Sequence, residues 1–260
     1  LRDRSPSRGL GDVYKRQVFN RIYLMKKVKP PTILALDSAG GACSAALFIN
    51  GEVSRREWVA ISRGHAEILM PMISSVMIGY SYSDFDAIAV TVGPGSYTGL
   101  RIGIAVARGL ALAAKLKIIS VSSFKAIARG ALITDEINGP ILVALDTKRD
   151  DLYIQTLDNN LVPLTPPACM NPEEVVLAFP EIWFLEYPVV IVGDAVSRLV
   201  PVLPKNHNFI VSEGSGLADA AIVAAEAAEN ILLGSSVMDQ SPPRPVYIRS
   251  PDVSPPQVNS

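Results

Sequence analysis

Two cysteines and two histidines are all that this 260-residue sequence holds. Cys43 and Cys169 stand far apart and in no CxxC pattern, so they read as two reduced thiols of a cytoplasmic protein rather than as a disulfide or metal framework. Charge of either sign is scarce in excess: 24 Lys and Arg oppose 25 Asp and Glu, a formal net charge of −1, with a pI near 6.2. That balance excludes attachment to nucleic acid by bulk charge, while leaving a local basic patch open. No apolar run reaches the roughly 18 residues that a membrane-spanning helix needs. The longest, Ile102–Leu116, is broken by Arg108 and Lys115. The first residues, "LRDRSPSRGLGDVYKRQVFNRIYL", are polar and basic and lack the apolar centre of a signal peptide. Met25 reads as a natural start, and residues 1–24 as an extension. What is abundant is apolar side chain, 49% of the chain, enough for a substantial core.

Hydrophobic patterning divides this material into two similar halves. "TILALDSA" (Thr32–Ala39) predicts a buried strand ending in a polar turn. Asn50-Gly51 between two apolar runs predicts a hairpin, because both residues accept positive φ. "SRGHAEILMPMISSVMIG" predicts a helix with Ser62 or Gly64 near its start, Pro71 inside it and Gly79 just past its end. "FDAIAVTVGPG" predicts a strand running into a glycine turn, then a helix to about Lys115. "KIISVSSFKAIARGA" predicts another strand and helix. The first half thus reads β-β-β-α-β-α-β-α. In the second half "PILVALDTKRDDLYIQTLD" repeats the strand, Asp, turn and strand. "NPEEVVLAFPEI" predicts a helix, "PVVIVGDAVSRLVPVL" a strand, turn and helix, and "SGLADAAIVAAEAAENILLG" an Ala-rich helix. The repeated unit at Asp37 and Asp146 suggests a duplicated two-lobed α/β protein, divided near Ala128–Pro140. The expected organisation is a first lobe over 25–128, a second over 129–250, and a flexible Pro-rich tail over 251–260.

"GPGSYTGLRIGIAVARGLALA" (Gly93–Ala113) raises a choice between phosphate and protein. A glycine turn before a helix offers free N–H groups to an anion. Yet the P-loop lysine is missing, and the third glycine of GxGxxG arrives one residue late at Gly99. Along the helix Gly99, Gly103, Ala107 and Ala111 recur every four residues, a stripe of small side chains that admits another backbone closely. Ile102, Val106 and Leu110 form an adjacent large row, and Arg101, Arg108 and Lys115 one narrow basic line. On the preceding helix Ala66, Met70, Ile73 and Met77 lie beside Leu69, Met72 and Val76. This wide arc, rich in flexible Met, suits an adaptable protein surface. Two readings stay open: a docking pair of helices, or core helices covered by the chain's own second lobe.

Taken together, "ILALDSAGGACSAAL", "SRGHAEILMPMI", "VGPGSYTGLRIGIAVARGLA" and "PVYIR" resemble the bacterial TsaB family of tRNA threonylcarbamoyladenosine biosynthesis proteins. The resemblance is dense from Ile33 to about Ala128 and thinner beyond. It implies an actin/Hsp70/sugar-kinase-like α/β fold of two related lobes, each a mixed sheet with flanking helices. It also implies a non-catalytic partner of TsaD, the paralogue that transfers threonylcarbamoyl to N6 of an adenosine beside the tRNA anticodon. The ATPase TsaE would join them, tRNA would be reached indirectly, and self-association would use the same surface. The implied partner-binding residues are His65, Leu69, Met72, Ile73, Val76, Gly99, Arg101, Ile102, Gly103, Val106 and Ala107.

The same resemblance frames what this chain would not do. TsaD-type proteins bind metal with HxxxH, but here "HAEIL" puts Leu69 where the second histidine would stand, and leucine has no lone pair. No metal is expected at His65, and the other histidine, His207, lies in weakly patterned sequence. Asp37 and Ser38, with Asp146 and Thr147, are the candidate remnants of a nucleotide cleft. Lys148, Arg149, Asp150 and Asp151 fill the turn where the fold usually has glycine, and would crowd a phosphate-hugging backbone. The expectation is no tightly bound cofactor, with weak or interface-shared ATP or ADP left open. The alternative is an ATP-dependent small-molecule kinase or ATPase of the same fold. A peptidase has no support, since Ser96 sits in no GxSxG elbow and has no assignable base.

Overall fold

The computed structural model describes residues 29–178, 187–204, 208–234 and 242–249. The extension 1–24, His207 and the tail 251–260 lie outside the described residues. The first half runs β1 (Ile33–Asp37), β2 (Ala42–Ile49), β3 (Glu52–Ala60), α1 (His65–Val76), β4 (Ala87–Gly93), α2 (Tyr97–Ala114), β5 (Lys117–Ser122) and α3 (Ser123–Thr134). This is the β-β-β-α-β-α-β-α order that the patterning predicts. The second half runs β6 (Ile141–Asp146), β7 (Leu152–Leu157), β8 (Ala168–Met170), α4 (Pro172–Ala178), β9 (Val189–Val192), α5 (Val196–Leu199), β10 (Phe209–Val211) and α6 (Ala220–Leu233).

Among the described residues the strands form two five-stranded sheets, ordered β3-β2-β1-β4-β5 and β10-β9-β6-β7-β8. In the first, β1 pairs antiparallel with β2 and parallel with β4. In the second, β6 pairs antiparallel with β7 and parallel with β9. Each remaining neighbour matches in turn: β2–β3 and β7–β8 are antiparallel, β4–β5 and β9–β10 parallel. Reading β6 as β1, the second sheet repeats the first strand for strand. Asp37 and Asp146 close equivalent central strands, as their shared motif suggests. The fold is the two-lobed actin/Hsp70/sugar-kinase type.

Local chemistry sets the turns. Asn50 and Gly51 have φ of 55° and 86°, the paired positive values that match a tight hairpin to the twist of its strands. Lys115 at φ 58° caps the C-terminus of α2, where the chain leaves the helix in a left-handed conformation. β8 and β10 have three residues each, too few to show a period of two.

Among the described helices, α3 and α6 each reach the other half of the sequence, α3 by packing on β6 and β9. α6 packs across the first sheet, touching β1, β2, β3, β4 and β5. Its Ala220, Ala221, Ala224, Ala225, Ala227 and Ala228 are all buried, because small side chains let it lie between layers with apolar contact nearly all round. A continuous cluster from Ile33, Phe48 and Phe124 to Ile141, Val143 and Val223 joins the lobes. Beside it the Arg129 Nε of α3 donates to Glu226 Oε2 of α6 at 2.7 Å. Arg129 also pairs with Glu229. A guanidinium this buried is tolerable because carboxylates meet it on two sides.

Candidate functional site

The two helices singled out by spacing, α1 and α2, cover one face of the first sheet. In α1 the row His65, Leu69, Ile73 and Val76 is buried. Leu69, Ile73 and Val76 belong to the cluster formed with Leu34, Leu36, Leu47 and Val90. The His65 ring nitrogen Nε2 lies 3.1 Å from the Gly40 carbonyl oxygen, so the imidazole ties the helix start to the β1–β2 turn. Leu69, with 0% exposure, is a core residue.

The small-residue stripe of α2 also turns inward. Gly99, Gly103, Ala107 and Ala111 are buried. A Cβ on Gly99 would sit 2.1 Å from the Ser38 carbonyl oxygen, and one on Gly103 2.6 Å from Ser38 Oγ. The stripe therefore admits the chain's own β1–β2 turn. Of the residues expected at a partner surface, His65, Leu69, Ile73, Val76, Gly99, Gly103 and Ala107 are thus buried within the isolated chain. Spacing finds a face that needs close packing, but the sheet beneath supplies the partner. The larger neighbours remain accessible in part: Met72, Ile102 and Val106 are half-buried, and Arg101 is exposed. Around them Met70, Ile78 and Leu112 are 42%, 68% and 83% exposed. Arg108 and Lys115 are exposed as well.

Arg101 is organised by aromatic side chains that spacing alone does not reveal. Its guanidinium lies 3.7 Å from the centroid of the Tyr97 ring, within cation–π range. Its Nε donates to the Tyr247 hydroxyl at 3.1 Å, and the two tyrosine rings are 5.5 Å apart. "PVYIR" is thus tied to the start of α2 across 146 residues of sequence. A pairing so distant leaves no local periodicity to read.

Between the lobes lies a cleft of about 1110 Å³, with Gly95–Gly99 and His65 on one side and Asp146–Arg149 on the other. The four candidate nucleotide-site residues do not converge there. Asp37 and Ser38, each 1% exposed, are absent from its wall. The glycine turn seals them: the Ser96 N–H donates to the Ala39 carbonyl at 2.7 Å, and Ser38 Oγ donates to the Gly99 carbonyl at 2.9 Å. Asp37 and Ser38, expected in a nucleotide cleft, therefore lie beneath the cleft wall. Asp146 and Thr147 do line it, but both are engaged. Asp146 Oδ1 accepts from Arg198 and Oδ2 from Lys148 Nζ, each at 2.8 Å. Partial burial acts to raise the Asp146 carboxyl, but the Lys148 bonds and the Lys148 and Arg198 charges hold it below the usual range. Thr147 Oγ1 lies 2.6 Å from Asp151 Oδ1. Lys148 adopts φ 64°, so the turn keeps a glycine-like conformation with a lysine in place. Among the described residues no group of three or more His, Cys, Asp or Glu is arranged to hold a metal.

Asp37 is the most perturbed carboxyl in this region. Burial pushes it up to about 6, against the hydrogen bonds from Thr91 and the Ala39 N–H. Its Oδ2 is buried with no partner among the described residues. The folded value lies above the unfolded one, so this group favours folding below about pH 4, and that contribution is lost as pH rises through about 6. The loss amounts to about 3 kcal/mol from a shift of 3.8 to about 6. Asp37→Asn is therefore expected to gain stability relative to wild type as pH rises from about 4 to 8. Denaturant unfolding at several pH values checks this, and parallel curves would contradict it.

Comparison with known proteins agrees with this architecture. The family model described as "TsaD: tRNA N6-adenosine threonylcarbamoyltransferase" matches residues 59–233. A protein of Escherichia coli (strain K12) named tRNA threonylcarbamoyladenosine biosynthesis protein TsaB is 40% identical over 125 residues, 46% of this chain and 52% of that one. Its namesake from Haemophilus influenzae is 36% identical over 124 residues, covering 47% and 52%. The aligned region thus spans about half the length of these curated relatives. A Pseudomonas aeruginosa crystal structure, described as an uncharacterized protein with similarity to peptidase YEAZ, superposes with a TM-score of 0.73 at 28% identity, covering 84% of this chain and 100% of that one. The matched span, the relatives and the shared duplicated fold agree: the chain belongs to the threonylcarbamoyltransferase family described as TsaD, with the TsaB proteins among its relatives there.

Proposed function

We propose that this chain is a non-catalytic partner that docks a TsaD-type paralogue through the outer face of α1 and α2. In that role it supports threonylcarbamoyl transfer to N6 of the adenosine beside the tRNA anticodon, together with a TsaE-type ATPase. The observation that carries the reading is the division of labour on these helices. One side of each is consumed by the first sheet, while Met70, Ile78 and Leu112 stay exposed beside half-buried Met72, Ile102 and Val106. Large apolar side chains left outside on adjoining helices and on the turn that follows α1 are the composition of a protein contact. Leu69 supports the non-catalytic part, because the position that would complete HxxxH is spent on the core. Contact with tRNA would run mainly through the partner, in keeping with the net charge of −1.

Reconstitution tests this directly. Purified TsaD-type and TsaE-type proteins, tRNA, ATP and the threonylcarbamoyl precursor are expected to yield modified adenosine only when this chain is added. Equal modification without it, read by nucleoside mass spectrometry, would refute the role. The 1110 Å³ cleft favours one other reading, an ATP-dependent small-molecule kinase or ATPase. Micromolar Mg–ATP affinity with turnover by the isolated chain would support that instead.

A further inference from the structure

The segment 245–249 touches both lobes within five residues. At its first-lobe end the Val246 N–H donates to the Val92 carbonyl, at the end of β4, at 2.7 Å. Gly93 makes room for it, since a Cβ there would sit 2.9 Å from the Val246 carbonyl oxygen. Tyr247 accepts from Arg101 of α2 at 3.1 Å. Ile248 packs against the core cluster shared by the lobes. At the other end Arg249 Nη1 bonds Asp151 Oδ2 at 2.7 Å, in the β6–β7 turn of the second lobe. Tyr247 and Arg249 both line the cleft.

We propose that residues 245–249 are an interlobe latch, which holds the cleft at one width and has the Arg249–Asp151 pair as its releasable end. The three residue steps from Val246 to Arg249 span at most about 10 Å when extended. With both ends fixed, the lobes cannot part along this edge. α3 and α6 join the lobes elsewhere through a buried core and the Arg129 pairs, whereas the contacts at this end include a half-exposed ion pair, with the Arg249 side chain 39% exposed. Such a pair adds only a small bias, as a closure that must open requires. The latch goes beyond the partner role and does not depend on the partner's identity.

The test uses the full chain without partners. Spin labels at Glu67→Cys and Asp150→Cys, in a Cys169→Ser background that leaves buried Cys43, report cleft width. Arg249→Ala is expected to raise the long-distance population about three- to fivefold and to speed hydrogen exchange at the Val246 amide by a similar factor. Arg249→Lys should restore most of the closed state. Asp151→Asn, which keeps the side-chain shape, should open the cleft as Arg249→Ala does, and the double variant should open it no further. Unchanged distances and exchange in these folded variants, or fully additive effects, would overturn the latch.

Discussion

Gly99→Ala is expected to lower the melting temperature by about 6–12 °C. The added Cβ would lie 2.1 Å from the Ser38 carbonyl oxygen and 3.3 Å from its carbonyl carbon. This obstacle is backbone at the end of β1, so it cannot rotate away. Either α2 retreats from the sheet or the β1–β2 turn distorts, at a cost of about 3 kcal/mol for such overpacking. In a chain of this size each kcal/mol shifts the melting temperature by about 2–4 °C. Gly103→Ala should cost less, because its Cβ meets Ser38 Oγ at 2.6 Å, and a hydroxyl can swing aside by giving up its bond to the Gly99 carbonyl. Gly109 supplies the control. No atom lies within 4 Å of a Cβ placed there, so Gly109→Ala should stabilise the helix by about 0.5–1 kcal/mol. Calorimetric scans of the three variants check the order, and equal melting for Gly99→Ala and Gly109→Ala would contradict it.

The second large effect concerns association. Met70→Asp combined with Leu112→Asp should weaken binding to a TsaD-type paralogue by about 100-fold or more, leaving the melting temperature within a few degrees of wild type. Both side chains are substantially exposed in the isolated chain, at 42% and 83%, so a carboxylate there stays hydrated and the fold tolerates it. In a complex the same carboxylates would be desolvated against an apolar surface with no cation assigned to them. Gly103→Leu cannot serve this purpose, although the small-residue stripe invites it. Its side chain would enter the fold's own interior, and lost binding would follow from lost structure. Titration calorimetry on the folded double variant separates the two cases. Affinity within about threefold of wild type would place the contact elsewhere.

The two sheets were legible because their central strands carry the same local signature, an apolar run ending in Asp37 or Asp146 before a polar turn. The Asn50-Gly51 hairpin and the C-terminal end of α2 were legible because each rests on a local backbone conformation. The direction in which α2 points was not. A four-residue stripe of small side chains marks a face that must be approached closely, and periodicity carries no record of whether a neighbouring protein or the chain's own Ser38 makes the approach. The candidate nucleotide residues divide for a related reason. Asp37 and Asp146 look alike in sequence, but the glycine turn seals the first, and Arg198, 52 residues away, pairs with the second. The Tyr97–Arg101–Tyr247 contact joins segments too distant in sequence for spacing to connect.

Hydrogen exchange on the chain with and without a TsaD-type paralogue tests the central claim most directly. If the outer face of α1 and α2 is the docking surface, a stoichiometric complex should form at micromolar concentration, and amides across 66–78 and 101–115 should slow by at least about tenfold while β6–β10 stay unchanged. Absence of a complex, or protection confined to the second lobe, would contradict the account.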